Sequence, residues 1–244
     1  MKHLNVKYIP IADYTVVGSD QVWNRDITSY LSHAFFLNFA NNKLVALSSS
    51  FGKKHWSDES EYTLLVNNLL ERFQAISVRE DSGVDILKNV FHIEGTQLLD
   101  PTLAYGKFTD FVKQDICKER IFCFIYNNSD NAKKIKQAIS EKLHLPLKKE
   151  NFFTRRLDAS PINWLNNIYN SKFIITDSFH GVAFCLIFQK NFVVLCANKE
   201  KFTRLESLLK KMGLLNRIIH SIDELLANEE ILLEPIDYNK VNCI

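Results

Sequence analysis

The pattern that most constrains this chain is an alternation. Short runs rich in β-branched and aromatic residues take turns with longer stretches whose apolar residues recur at helical spacing. That rhythm predicts parallel strands joined by crossover helices, an α/β architecture. Strands are expected at Tyr14 to Val17, Lys43 to Ser50 and Ala75 to Val78, with helices over Asp58 to Phe73 and in "REDSGVDILKNV". Pro101 biases Asp100 towards extended geometry and closes this half of the chain. The regularity lapses around Phe108 to Glu119, and a second α/β series starts with "RIFCFIY", Arg120 to Tyr126. Two domains are therefore expected, 1–115 and 116–244. In the second, the helix "NAKKIKQAISEKL" is followed by "SPINWLNNIYN", which has Ser160 at its cap and Pro161 at its first position. Then come the strand Lys172 to Thr176, the helix "GVAFCLIFQ", the strand "NFVVL" and the helix "KFTRLESLLKKM", stopped by Gly213.

Composition removes several functions. Thirty basic against 28 acidic residues leave a net charge of +2, so no basic excess argues for nucleic acid. No apolar segment is long enough to span a membrane, and Met1-Lys2-His3 is not followed by a signal-peptide core. The five cysteines form no C-x-x-C pair, and Cys123, Cys185 and Cys196 sit in apolar runs, as reduced core residues of a cytoplasmic protein do. The closest two of the seven glycines are eleven positions apart, which rules out both G-x-G-x-x-G and the P-loop. Any anion must then be held by helix N-termini and basic side chains. No cluster of metal ligands is evident, and neither a metal nor a cofactor is expected.

Two polar clusters close apolar strands. In "KFIITDSFHG", Asp177, Ser178 and His180 stand where a strand hands over to a helix. Asp177 or Ser178 can cap that helix, and the same free N–H groups can bind a phosphate or carboxylate to which His180 could donate a proton. The three residues are too close along the chain for a hydrolase triad, and G-x-S-x-G is absent. In "GSDQVWN", Gly18 to Asn24, Asp20, Gln21 and Asn24 can bond sugar hydroxyls while Trp23 offers a ring face. A turn followed by a core tryptophan fits the same letters. Arg79, Lys201 and Arg204 are candidate anion ligands. Ligands of open α/β sheets bind beyond the carboxyl ends of strands, and two such ends facing each other would make an interdomain cleft.

"VVGSDQVWN", "ALSSSFG", "AISVREDSGVDIL", "LLDPTL", "SPINWL", "ITDSFHGVAFCLIFQKNFVVL" and "RLESLLKKMGLLNRI", in this order, resemble the polysaccharide pyruvyl transferase family from about Ala12 to Ile219. The resemblance implies two Rossmann-like domains like those of the B-type glycosyltransferases. It also implies transfer of pyruvate from phosphoenolpyruvate, the donor substrate, onto two hydroxyls of a surface-polysaccharide sugar as a cyclic ketal. The acceptor would be a sugar or lipid-linked oligosaccharide, handled in the cytoplasm or at the inner face of the membrane. His180 then contacts phosphate and donates the proton, Ser178 and Gly181 complete the anion cradle, and Asp20 is the base. Arg204, with Arg79 in reserve, holds donor anions, and Ser19, Gln21, Trp23 and Asn24 hold the acceptor. Family members usually carry a strand and a glycine-rich turn ahead of G-S-D-Q, whereas here only "MKHLNVKYIPI" precedes it, so the N-terminal domain is expected to be truncated and to lack its first strand. Two rival readings are a nucleotide-sugar glycosyltransferase of B-type fold and an inactive glycan-binding homologue.

Overall fold

The structure is a computed structural model that describes residues 12–113, 117–149, 160–196 and 202–241. The chain forms two compact units, residues 1–104 and 105–244. Residues 105–113, which the sequence pattern groups with the first half, pack with the second. Phe108 meets Phe184 edge-on at 4.9 Å, and the Lys113 N–H donates to Asn166 Oδ1.

The first unit runs β1 (Tyr14–Val17), α1 (Arg25–Thr28), α2 (Ser32–Phe35), β2 (Lys43–Ser49), α3 (Ser60–Leu70), β3 (Phe73–Val78), α4 (Asp81–Val90), β4 (Thr96–Gln97) and α5 (Pro101–Tyr105), the last lying at the division. Its sheet is parallel, in the order β1-β2-β3-β4. Alternation along the strands decides which side is core. Val17, Leu44, Ala46, Ile76 and Val78 face the helices, packing with Val66, Leu70, Ile86 and Leu87. Tyr14, Val16 and Leu47 remain exposed. Among the described residues β1 pairs with β2 alone. Residues 1–11, on which the expected loss of a first strand turns, lie outside the described part.

The second unit contains β5 (Lys118–Phe124), α6 (Asp130–Leu143), β6 (Leu147–Lys149), α7 (Pro161–Tyr169), β7 (Ser171–Thr176), α8 (Phe179–Ile187), β8 (Asn191–Leu195), α9 (Thr203–Met212), β9 (Ile218–Ile219), α10 (Ile222–Ala227) and α11 (Glu230–Leu233). The parallel order is β6-β5-β7-β8-β9, so the direction of chain progression reverses between β5 and β7. Such a reversal splays the loops leaving the two strands and opens a crevice at their carboxyl ends. Ser160 caps α7 as expected, accepting from the Asn163 N–H, and Gly213 ends α9 at φ 71°; Ser129, not singled out by the sequence reading, caps α6 through the Ala132 N–H. The short strands β4 and β6 carry no apolar run and are not predicted; α8 begins at Phe179, two residues ahead of its expected start at Gly181.

Candidate functional site

Two constellations stand at strand ends, one in each unit. In the second unit the turn after β7 lies at the reversal between β5 and β7. Ser178, not Asp177, caps α8: its Oγ accepts from the Gly181 N–H at 3.3 Å. Its own N–H donates to Thr176 Oγ1 at 3.1 Å, so the cap is tied back into the strand. Gly181 is required by close approach, because a Cβ there would lie 2.4 Å from Thr176 Oγ1. These contacts fix the first turn of α8 and with it His180, which is half-buried and meets the Phe179 ring edge-on at 5.6 Å. His180 therefore sits at the positive end of a helix whose body, Val182 to Leu186, is entirely buried.

Asp177 has a different task. Its carboxylate accepts the N–H groups of Tyr126 and Asn127, both at 2.8 Å, and so clamps the loop after β5 to the loop after β7. Burial pushes its carboxyl above the ordinary range, against the pull of these N–H groups and of Lys136. A shallow pocket opens beside it, lined by Asn127, Ser129, Cys196 and His220 among others. Lys136 is buried and donates to Asn128 Oδ1. It was missed as a site candidate although the signal was present, since it falls on the apolar face formed by Ala132, Ile135 and Ile139. Arg204 stands in the first turn of α9, and Lys201 lies outside the described residues.

In the first unit, Gly18 leaves β1 at φ 144°, and a Cβ there would collide with the Leu47 carbonyl. The following loop is laced to the end of β2: the Ser50 N–H donates to the Asp20 carbonyl, and the Trp23 N–H to that of Ser50. Asp20 shows 65% of its side chain to solvent, while its Oδ1 accepts from Arg79 Nη2 at 2.8 Å and from the Gln21 N–H. Arg79, a candidate anion ligand by sequence, has its guanidinium fully buried, with Nη1 donating to Asp100 Oδ2 at 2.9 Å. The sequence carries no sign of the Asp100–Arg79 pair, although a carboxylate before Pro101 is a helix-cap signal. Asp100 Oδ1 indeed accepts the Thr102 N–H. Burial alone would raise the Asp100 carboxyl, but the bonds from Thr102 and the charge of Arg79 outweigh it and hold the group below its usual range.

Glu80 beside it is buried. Its Oε1 accepts from Ser50 Oγ and from the Phe51 and Gly52 N–H groups, fixing the loop after β2. Ser19 and Gln21 are half-buried, and Gln21 Oε1 accepts from Asn24 Nδ2 at 3.0 Å. Asn24 is buried and caps α1. Trp23 corrects the sugar-platform expectation. It is 1% exposed, its ring stacks on Phe36 at 5.3 Å and its Nε1 donates to the Phe35 carbonyl, so neither face of the ring is open to a ligand. Among the described residues no three His, Cys, Asp or Glu side chains group as a metal site, and no helix is long and apolar enough to cross a membrane.

A profile described as polysaccharide pyruvyl transferase matches residues 2–198. No curated protein matches the chain. Among solved structures, a crystal structure from Listeria monocytogenes that carries the provisional name UDP-N-acetylglucosamine 2-epimerase is similar, with a TM-score of 0.55 at 14% identity. The match covers 93% of this chain and 68% of that one. At that identity the likeness shows the fold: Rossmann-like units of the B-type architecture.

Proposed function

The chain belongs to the polysaccharide pyruvyl transferase family, and on that footing we propose that it transfers the pyruvyl group of phosphoenolpyruvate onto two hydroxyls of a surface-polysaccharide sugar as a cyclic ketal. The observation that carries the proposal is the turn after β7. Ser178 and Gly181 pin a helix N-terminus at the sheet's reversal point and hold His180 in its first turn. A helix start and an imidazole suit an anionic donor that must also be protonated.

In this reading the second unit binds the donor. His180 gives a proton to the methylene carbon of phosphoenolpyruvate, and Ser178, the backbone at Gly181 and Arg204 hold its anionic groups. The first sugar hydroxyl adds to the adjacent carbon and passes its proton to Asp20. The second hydroxyl then displaces phosphate from that carbon, its proton leaving with the phosphate. One phosphoenolpyruvate and one diol become one ketal and one inorganic phosphate, and the proton on Asp20 returns to His180 through solvent. Asp20 is suited to this task because its carboxylate is exposed yet held by Arg79. Ser19, Gln21 and Asn24 shape the acceptor side, with Asn24 acting through Gln21. The acceptor is a sugar or lipid-linked oligosaccharide met in the cytoplasm or at the inner face of the membrane.

The test is product analysis with phosphoenolpyruvate and a panel of sugar acceptors. Expected is stoichiometric inorganic phosphate and a pyruvyl ketal on the acceptor, with His180→Ala abolishing both. Release of a nucleotide from a nucleotide sugar would make the chain a B-type glycosyltransferase instead. Glycan binding with no phosphate released would leave it a binding protein.

A further inference from the structure

We propose that Asp100 is a positioning residue for the reaction: through the buried guanidinium of Arg79 it sets where the Asp20 carboxylate stands. This rests on the reading of Asp20 as the proton acceptor.

Arg79 is held through its backbone and through both Nη atoms of its guanidinium. Its N–H donates to the Ser49 carbonyl of β2, and its carbonyl accepts from Gln97 Nε2 of β4. Its guanidinium spans from Asp100 at 2.9 Å to Asp20 at 2.8 Å. Exposure along this chain is 0% for the Asp100 and Arg79 side chains and 65% for Asp20. A rigid buried pair thus ends in one carboxylate presented to solvent. Asp100 is anchored in turn, since its Oδ1 takes the Thr102 N–H and its carbonyl the N–H groups of Leu103 and Ala104 at the start of α5.

Stability alone is a poor account of this arrangement. Burying an arginine and a carboxylate costs desolvation that their attraction barely offsets, and an apolar pair of similar volume would serve a core as well or better. The exposed bond from Arg79 to Asp20 contributes little to folding in water. Orientation is what the arrangement supplies. A planar guanidinium with both Nη atoms engaged dictates the direction from which Asp20 must approach, and a misplaced catalytic group is costly to rate.

The experiment is a double-mutant cycle of Asp20→Asn and Asp100→Asn, read by phosphate release and, independently, by thermal unfolding. Asp100→Asn is expected to lower kcat by about 10- to 100-fold with KM for phosphoenolpyruvate within about twofold. In the Asp20→Asn background it should change kcat no further. A kcat effect of Asp100→Asn undiminished by Asp20→Asn would overturn the proposal. If Asp20→Asn itself turned over like the unaltered protein, the reading of Asp20 would fail, whereas an Asp100→Asn effect that persists on an impaired Asp20→Asn enzyme would fail the positioning role alone. Should Asp100→Asn fail to fold, Asp100→Glu keeps the charge and displaces the carboxylate. A kcat equal to that of the unaltered protein in that variant would also overturn the proposal.

Discussion

Replacing Arg79 with methionine should expose how much of the first unit depends on one cation. The substitution roughly preserves length and removes the charge. Asp100, 0% exposed, then loses the partner of its Oδ2 and faces an apolar thioether. Breaking a buried pair by removing one member costs about 3–5 kcal/mol, because the remaining charge is left desolvated. The exposed Asp20 contact adds less than about 1 kcal/mol. For a unit of this size the total corresponds to a fall in melting temperature of at least about 10 °C. The loss must depend on pH with a definite sign. In the unaltered protein the Asp100 carboxyl is held below its usual range, so its contribution is present above the unfolded value of about 4 and fades as pH falls through the folded value. Without Arg79, two of the pulls that lower the folded value are gone while burial remains, so the folded value moves up and the stabilisation of the ionised form shrinks. The gap between the two proteins should therefore be widest near pH 7 and shrink towards acid. Denaturant unfolding in a Trp164→Phe background, followed by the emission of Trp23 and Trp56, reports on the first unit alone. A gap below about 1 kcal/mol, or one that stays constant from neutral to acid pH, would refute the reasoning.

Three further outcomes follow from the same contacts. Gly181→Ala drives a methyl to within 2.4 Å of Thr176 Oγ1, and should cost about 1–3 kcal/mol in unfolding experiments as well as displacing His180; a variant as stable and as active as the parent would show that the approach is not tight. Asp177→Asn removes a carboxyl whose folded value is raised by burial. Ionising that carboxyl weakens the fold as pH rises through the raised value, so the variant should gain on the parent from acid to neutral pH, and a loss over that interval would reverse the sign of the argument. Trp23→Ala should destabilise the first unit by about 3–5 kcal/mol as a core deletion, whereas a ligand platform would lose acceptor binding with little change in melting temperature.

The chain's own order of letters determined a good deal. Strand and helix alternation is written in local periodicity, and so is a cap such as Ser160 with Pro161, because it depends on neighbours within a turn. The α/β class and the strand-to-helix turn carrying His180 follow from that. β4 and β6 escaped because two or three residues without an apolar run carry no period, and they exist through the strands they pair with. The choice between Asp177 and Ser178 as cap was open in the sequence. It was settled by Tyr126 and Asn127, some fifty positions earlier, which claim the Asp177 carboxylate. Trp23 read equally well as core or as platform until Phe36, Phe51 and Phe73, each from a different part of the first unit, closed around its ring. Arg79 looked like a strand-end charge facing water. Its partners stand 59 and 21 positions away, and only the pairing of β1, β2, β3 and β4 in one sheet brings Asp20 and Asp100 to opposite ends of one guanidinium. Burial and long-range pairing are properties of the folded sheet, and no window of neighbouring residues contains them.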